Sequence, residues 1–503
     1  MDITLLRPPS YSAGIMGAQL VPFLGIAYIG AAARINGHNV DIIDMCGEEI
    51  DRTEVIKGNY IAYGMPFSAL GERIRYSRLI GVSCTFSQDW VFHRELIARV
   101  RLLFPESVIV AGGEHISAIP EYCLADCPAL DICVVGEGEN VFVQLLKALE
   151  NKESLSGVPS LFYREGNSIK STPRAARIAD IDNLPLPAWD LTPMENYLKR
   201  SMNYHVKRGR TIPMLASRGC PHQCTFCSNA KMWSNPWIAR NPSLVADEME
   251  QHIGKYNANN FVFSDLTAVV DRNSITGLCR EILRRKLDVT WQLPTLRTEA
   301  LNRDVLKLMY EAGCRELDFA VESASEKVLS DVNKKNDPAK MAKLISEALA
   351  LKINLSVNIV IGLPKETFKD FARTCALVFR LAIRGLNELN VFPFIPYPGS
   401  KLFYSLAAEG KIKLENNYFY GLFGYADLGR AVSWSRHFTP HQLRFMRLFM
   451  LAGFYKIMLL THPVRIAKIF RNLYGGASST KLEGVLRRVF RNIRAYTTNR
   501  KIT

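Results

Sequence analysis

The sequence predicts an α/β protein with an N-terminal doubly wound parallel sheet, then a (β/α)6 partial barrel and a helical C-terminal tail. Two series of short apolar runs alternating with helical patterns indicate the sheets, and a proline-containing stretch separates them. The chain has 503 residues, 48% of them hydrophobic, so it can bury the cores of two or more domains. We expect the divisions 1–150, 151–210, 211–410 and 411–503.

The first division contains five apolar runs that predict parallel strands with helical crossovers. They lie at residues 3–6, 40–43, 79–83, 108–111 and 131–135. Glycines cluster after the last two runs, as Gly112, Gly113, Gly136 and Gly138. Sheets of this kind bind ligands beyond the carboxyl ends of their strands, and glycine lets the backbone approach a bulky ligand.

Residues 151–210 lose this rhythm, and Pro185 and Pro187 oppose helix and sheet interior alike, so we expect an interdomain linker. The next division has helical patterns at 243–253 and 301–311, between six strand patterns. The strands are expected near Pro213, Phe261, Val289, Leu317, Val357 and Val391. These units predict a partial barrel whose chemistry lies at the carboxyl ends of its strands.

A cysteine motif follows the first barrel strand. Residues 217–229 read SRGCPHQCTFCSN, which gives Cys220, Cys224 and Cys227 a C-x3-C-x2-C spacing. Three such thiolates can bind three irons of a cubane cluster and leave the fourth iron open. A zinc site is the alternative, but it usually pairs C-x2-C with a distant second pair, and His222 is poorly placed as a fourth ligand. The spacing favours the cluster.

This triad at the start of a β/α barrel resembles the radical S-adenosylmethionine (SAM) superfamily, and Phe226 matches an aromatic residue common there. The resemblance implies that the open iron chelates the amino and carboxylate groups of SAM. It also implies an external electron donor, because the reduced cluster must cleave SAM to methionine and a 5′-deoxyadenosyl radical.

Further barrel segments resemble the subfamily that carries an N-terminal cobalamin-binding domain. They are 263–265 (FSD), Arg297, 321–325 (VESAS), 361–367 (IGLPKET) and 396–400 (PYPGS). The resemblance implies that Arg297 and Ser323 meet polar parts of SAM and that Ile361 meets the adenine. The cofactor-binding candidates of the barrel are Phe226, Asp265, Arg297, Glu322, Ser323 and Ile361. Ordinary packing at strand ends is the alternative for each of them.

Three segments of the first division, at 81–84, 112–115 and 136–139, resemble the cobalamin-binding domain of the same subfamily. The candidates there are Ser83, Gly112, Gly113, His115, Gly136, Glu137 and Gly138. No D-x-H-x-x-G motif supplies a lower axial histidine, so the resemblance implies cobalamin without one, and His115 is expected only to line the pocket. Some members of the subfamily keep this domain without binding cobalamin.

The resemblance covers residues 1–410 and implies a cobalamin-dependent radical SAM methyltransferase acting on an unreactive carbon. Two strand edges can enclose one cavity that keeps reactive species from water. A radical SAM cyclase or carbon–carbon coupling enzyme is the first alternative, and a non-catalytic metal-binding interaction protein is the second. We expect a hydrophobic or natural-product-like small-molecule substrate, and no motif indicates a catalytic side chain.

The net charge of +15 is concentrated in the tail, because residues 436–503 carry +13. The apolar stretch 448–461 is shorter than the about 20 residues of a membrane span. Residues 464–473 and 482–496 mix apolar and basic side chains at helical intervals, which predicts docking on an anionic membrane. A helical cap on the barrel with a solvated basic face is the alternative. We expect no nucleic acid partner, because no recognition motif accompanies the charge.

Eleven cysteines are too few for a disulfide scaffold in this length, and no secretory signal pattern begins the sequence. We therefore expect a cytoplasmic protein that is peripheral to the membrane through its tail. The eight cysteines outside the triad are expected to be buried structural thiols.

Overall fold

The structure is a computed structural model, and it describes residues 1–13, 17–18, 20–202, 208–297, 300–475 and 482–484. The strands before residue 172 are β1 Asp2–Arg7, β2 Ser10–Ala13, β3 Asn39–Asp44, β4 Thr53–Ile56, β5 Tyr60–Tyr63, β6 Leu79–Ser83, β7 Val108–Gly112, β8 Ile132–Val134, β9 Leu161–Glu165 and β10 Ser168–Ser171. The helices before residue 200 are α1 Leu24–Ile35, α2 Met45–Glu48, α3 Leu70–Arg73, α4 Trp90–Leu103, α5 Glu114–Ala118, α6 Pro120–Asp126, α7 Glu139–Asn151 and α8 Met194–Lys199.

The N-terminal sheet has seven strands in the order β3-β1-β6-β7-β8-β9-β10. The five expected strands pair in parallel, which confirms the parallel sheet. Strands β9 and β10 add an antiparallel hairpin at its edge. This hairpin lies within the expected linker 151–210. It belongs to the sheet, because Leu161 and Tyr163 are buried and β9 pairs with β8. Strands β2, β5 and β4 form a separate small sheet.

The second domain begins with β11. Its strands are β11 Thr211–Met214, β12 Ser217–Arg218, β13 Ile238–Ala239, β14 Asn260–Phe263, β15 Thr290–Leu296, β16 Cys314–Glu322, β17 Asn354–Ile361 and β18 Glu388–Pro393. The helices from here on are α9 Asn229–Met232, α10 Pro242–Tyr256, α11 Arg272–Arg284, α12 Arg303–Glu311, α13 Glu326–Asp331, α14 Pro338–Ala350, α15 Phe368–Ile383, α16 Lys401–Ala408, α17 Asn416–Leu422, α18 Pro440–Thr461 and α19 Val464–Gly475.

Six of these strands form one parallel sheet in the order β11-β14-β15-β16-β17-β18, which confirms the (β/α)6 partial barrel. Strand β16 is almost wholly buried, as expected where helices cover a parallel sheet. The helices start at capping residues: Asn241 caps α10, and capping boxes of Thr367 with Asp370 and Thr439 with Gln442 open α15 and α18.

The two domains share one apolar core. Ile80 and Trp90 of the N-terminal domain pack in the same cluster as Leu363 and Phe394 of the barrel and Phe419 of α17. The carboxyl ends of both sheets therefore meet at a dry interface, which positions the loops described next. In the described part of the chain, no helix is long and apolar enough to span a membrane.

Candidate functional site

The cysteine loop lies between β12 and α9, at the carboxyl end of the first barrel strand. Cys220, Cys224 and Cys227 are partly exposed and unpaired, whereas the other eight cysteines are buried. The eight are Cys46, Cys84, Cys123, Cys127, Cys133, Cys279, Cys314 and Cys375. Burial thus separates thiols that can reach a bound group from thiols that fill the core.

Backbone bonds hold this loop at fixed points. The Thr225 amide donates to the Val332 carbonyl at 2.9 Å, and the Thr225 carbonyl accepts from the Leu402 amide at 2.9 Å. Gly219 begins the loop at φ +91°, where an added Cβ would lie 2.0 Å from the Pro236 carbonyl oxygen. Only glycine fits there, so the turn that presents the first cysteine depends on it.

Burial and nearby cations act in opposite directions on the triad. Burial raises the pKa of the Cys224 thiol, and the nearby cations Lys334 and Arg297 oppose that rise. Burial raises the pKa of Cys227 to about 12. The Thr267 hydroxyl donates to the Cys220 sulfur at 3.1 Å. Iron binds the thiolate form, so neighbouring cations favour the ligating state.

Among the described residues, no three His, Cys, Asp or Glu side chains lie close enough together to hold a metal ion. The three thiols thus share one loop without converging on one point. In a cubane cluster each cysteine binds a different iron, so the ligands surround a group larger than one ion. The donor set of three free, partly exposed thiols fits such a cluster.

Two barrel candidates lie beside the triad. The Lys334 ammonium donates to the Glu322 carboxylate at 2.7 Å, and Glu322 has a left-handed backbone with φ +64°. Arg297 is buried and donates to the Lys335 carbonyl at 2.6 Å. A buried acid next to cations can recognise a group that carries both an amine and a carboxylate. Phe226 is half-buried and packs against the core shared by the two domains.

The side chains of three other candidates hold the barrel edge together instead of lining it. Asp265 is buried, accepts from the Ala216 amide at 3.1 Å and from the Ser217 hydroxyl, and burial raises its pKa to about 6. Ser323 is fully buried, and its hydroxyl lies 3.2 Å from that of Thr374. Ile361 is fully buried in the barrel core, at the carboxyl end of β17. Each of these side chains lies at or next to the end of a strand and makes its contacts within the barrel.

Glycines shape the edge of the N-terminal sheet. Gly113 has φ +117°, and an added Cβ would lie 2.5 Å from the Cys84 carbonyl oxygen. Gly136 has φ +84°, and a Cβ on Gly138 would lie 2.8 Å from Ile29. A Cβ on Gly112 would meet only the Val134 carbonyl oxygen, at 3.8 Å, so space opens there. Ser83, at the end of β6, is half-buried beside these turns.

His115 does not line an open pocket, which corrects the expectation. Its side chain is completely buried, with Nδ1 lying 2.8 Å from the Ser87 hydroxyl and Nε2 lying 3.4 Å from the Cys123 sulfur. Burial lowers its pKa to about 3. Both ring nitrogens are used within the protein, as in a structural histidine.

Glu137 also differs from its expected role, because its carboxylate joins the domains. It accepts from Arg177 at 2.7 Å and from Arg218 at 3.4 Å, and Arg218 also donates to Glu139 at 2.6 Å. Arg218 stands two residues before Cys220. The sequence reasoning missed this contact, although an arginine next to the triad and an acidic turn on the other domain were visible as complementary charges.

A second contact links the same two motifs. The Ser228 hydroxyl, directly after Cys227, donates to the Glu114 carboxylate, which follows the two glycines after β7. Burial raises the pKa of Glu114, and this hydrogen bond opposes the rise. The glycine-rich turns and the cysteine loop therefore face each other across one interface.

Behind β6 of the N-terminal edge, burial opposes charge on two side chains. Burial raises the pKa of Asp89 far above its usual range and lowers that of His93 to about 3. Three buried polar atoms there have no hydrogen-bond partner within the described chain: the Tyr11 hydroxyl, Asp89 Oδ1 and His93 Nδ1. Neutral donors and acceptors of this kind fit the ring of neutral amides that cobalamin carries.

Comparisons with known proteins agree with both halves of this site. The family model described as "B12 binding domain" matches residues 17–146, and the one described as "Radical SAM superfamily" matches residues 214–378. An uncharacterized methyltransferase of Pyrococcus horikoshii is 28% identical over 411 residues, covering 81% of this chain and 83% of its own.

An anaerobic magnesium-protoporphyrin IX monomethyl ester cyclase of Cereibacter sphaeroides is 27% identical over 421 residues, which is 82% of this chain and 64% of the cyclase. Among solved structures, the radical SAM methyltransferase TsrM of Kitasatospora setae, with cobalamin and a 4Fe-4S cluster bound, aligns with a TM-score of 0.62. That alignment has 18% identity and covers 81% of this chain and 78% of TsrM. This likeness shows a shared fold.

The barrel, its cysteine loop and the family match define a radical SAM enzyme, which uses a 4Fe-4S cluster and SAM. The chain matches both the radical SAM model and the B12-binding model, as do radical SAM enzymes that carry an N-terminal cobalamin-binding domain.

Proposed function

We propose that this enzyme is a cobalamin-dependent radical SAM methyltransferase that acts on an unreactive carbon. The observation that carries the proposal is the direct bonding of the cysteine loop to the glycine-rich turns, through Ser228 with Glu114 and Arg218 with Glu139. One substrate held at this interface can be reached from both strand edges.

We assign each cofactor to one edge. Cys220, Cys224 and Cys227 would hold the cluster, with Glu322 and Arg297 beside SAM, and Gly112 would leave room for the corrin ring. When bound, the cluster and SAM supply a 5′-deoxyadenosyl radical, and cobalamin supplies the methyl group.

The chain's own residues position these groups and exclude water. Trp90, Phe394 and Phe419 close the shared core behind the interface, so a reactive species formed there would meet apolar walls. Buried Arg218 fixes the distance between the edges, because its guanidinium bonds the N-terminal domain while its backbone leads into the cysteine loop.

The test is product analysis under anaerobic reduction, with hydroxocobalamin, SAM and a panel of hydrophobic carbon substrates. We expect 5′-deoxyadenosine and S-adenosylhomocysteine to form in step with methylated product. Equilibrium dialysis with hydroxocobalamin measures cofactor binding without turnover, and absence of binding by folded protein would contradict the proposal.

Cyclisation or carbon–carbon coupling is the second candidate, and the similarity to the cyclase of Cereibacter sphaeroides favours it. Product analysis distinguishes this reaction from methyl transfer, because only methyl transfer releases S-adenosylhomocysteine. A chain that has lost catalysis and serves as a metal-binding interaction protein would release no 5′-deoxyadenosine.

The substrate is a small molecule, and we propose that it is hydrophobic or natural-product-like. An external electron donor would reduce the cluster. We also propose that the enzyme works in the cytoplasm, at the membrane surface, for the reason developed next.

A further inference from the structure

Helix α18 has two faces with different partners. Its inner face packs into the barrel core through Leu443, Met450 and Phe454. Arg447 is buried on the same helix, and its guanidinium donates to the Val391 carbonyl at 2.8 Å and the Tyr425 carbonyl at 2.9 Å. The helix therefore caps the barrel, as one of the sequence interpretations proposed.

The outer face of α18 is apolar and exposed. Phe445 is 69% exposed, Phe449 48% and Leu460 71%. With Leu448, these residues follow helical spacing along one side, and the Phe445 and Phe449 rings stack with centroids 6.2 Å apart. Isolated exposed apolar residues are ordinary, but several on one side of a helix mark an interaction surface, and here exposed Lys456 lies among them.

Helix α19 adds exposed apolar residues after α18. At the corner between the helices, Arg465 donates to the Leu386 carbonyl at 2.9 Å and to the Gly385 carbonyl at 2.6 Å. The corner is thus clamped to the barrel, while Val464, Ile466 and Phe470 remain exposed. Residues 482–484 are described, but the rest of the expected helix 482–496 lies outside the described residues.

Basic side chains accompany the stripe. Arg444, Lys456, Lys468 and Arg471 are exposed on the two helices, and the sequence has no acid between residues 440 and 475. Elsewhere the chain balances its charges, because 436–503 holds +13 of the total of +15. Exposed aromatic and aliphatic residues with basic neighbours match a helix pair lying in a lipid headgroup layer.

We infer that α18 and α19 form a docking surface for an anionic membrane. Charge complementarity selects this partner, since anionic lipids attract basic residues and the apolar stripe enters the layer between headgroups. This inference goes beyond the proposed reaction and does not depend on it, because binding is measured without cofactors or turnover.

The test is co-sedimentation of the full chain with phosphatidylcholine vesicles that contain or lack phosphatidylglycerol. We expect anionic vesicles to bind on the order of tenfold more protein, and added salt to weaken that binding. Binding that ignores lipid charge would overturn the inference. The full chain is needed because α18 belongs to the barrel core.

Two variants test the surface itself. Phe445→Ser with Phe449→Ser should lower partitioning about tenfold, whereas Ile35→Ser with Leu102→Ser should not. Ile35 and Leu102 are matched controls, because they are 66% and 76% exposed on the N-terminal domain. Circular dichroism verifies that each variant is folded. Equal loss in both pairs would contradict the inference.

Charge is tested separately by replacing Arg444, Lys456, Lys468 and Arg471 with Gln, which should abolish the preference for anionic vesicles. The matched control replaces four exposed lysines outside α18 and α19 with Gln: Lys147, Lys170, Lys340 and Lys343. Size-exclusion chromatography tests the alternative that a second copy of this chain covers the stripe. A dimer that the phenylalanine variant dissociates, in a protein that binds no vesicles, would assign the stripe to a second copy instead.

Discussion

The two strand edges that meet at the site differ in charge. Behind β6 of the N-terminal edge, burial opposes charge on two side chains, because it raises the pKa of Asp89 and lowers that of His93 to about 3. The barrel edge holds ions, with Lys334 on Glu322 and buried Arg297 near Cys224. A neutral edge suits a ring bearing amides, and a charged edge suits a zwitterionic amino acid such as SAM.

Ion pairs also join the two edges. The acids Glu137 and Glu139 of the N-terminal turn do not face their own cleft but bind Arg218 of the barrel. The difference teaches that an acidic residue in a ligand-binding motif can serve the neighbouring domain, which leaves its own cleft uncharged.

The largest expected effect tests the charged edge. Replacing Cys220, Cys224 and Cys227 together by Ala should remove all of the iron, expected at about four per chain after anaerobic reconstitution. Iron and sulfide analysis measures this loss. The control replaces three buried cysteines of the barrel with Ala: Cys279, Cys314 and Cys375. Full iron content in the triad variant would place the cluster elsewhere, and stoichiometric zinc in wild type would favour a structural site.

The next effect tests the ion pairs between the two edges. Arg218→Met should lower the free energy of unfolding by about 3–5 kcal/mol, because it leaves the buried Glu139 carboxylate without its cation. Adding Glu139→Gln should recover part of that loss. The exposed pair of Arg34 and Asp190 is the control, where Arg34→Met should cost no more than about 1 kcal/mol. Denaturant unfolding measures the free energy of unfolding of all four proteins. Equal losses in the two arginine variants would show that the buried pair stabilises the fold no more than the exposed pair does.

A smaller effect tests the neutral edge. The folded pKa of His93, about 3, lies below its unfolded value of 6.5, so its stabilising contribution is complete above pH 6.5 and is lost as the pH falls toward 3. Between pH 7 and 5 this histidine should cost about 2 kcal/mol of stability. His93→Phe, which removes an unpartnered ring nitrogen, should remove this part of the pH dependence in unfolding measurements, while His115, whose pKa burial also lowers to about 3, keeps its own part. An unchanged pH slope would show that the interior is not dry.

The sequence predicts what repeats along the chain and misses what joins distant segments. The strand patterns locate both sheets, and the cysteine spacing identifies the triad, because periodicity and short spacing are local. The burial of His115 depends on Trp90 and Phe419, which come from separate elements, so the sequence does not predict it. The partners of Arg218 lie about 80 residues earlier, and the sequence does not indicate them for the same reason. The hairpin β9–β10 falls within the expected linker, because an edge pair carries little apolar pattern.

The smallest expected effect decides where the neutral edge receives its ligand. Gly112→Ala adds a methyl group that meets only the Val134 carbonyl oxygen, at ordinary contact distance, so the fold should keep its stability within about 1 kcal/mol. If the corrin ring lies over β7, the methyl group should lower hydroxocobalamin affinity about tenfold, or about 1.4 kcal/mol, in equilibrium dialysis. Gly157→Ala is the control, because a Cβ there meets nothing within 4 Å. Gly113→Ala would be uninformative, since its backbone strain alone would disturb the edge. Unchanged affinity in the Gly112 variant, with binding intact in wild type, would move the ring away from β7 and toward the turn at Gly136.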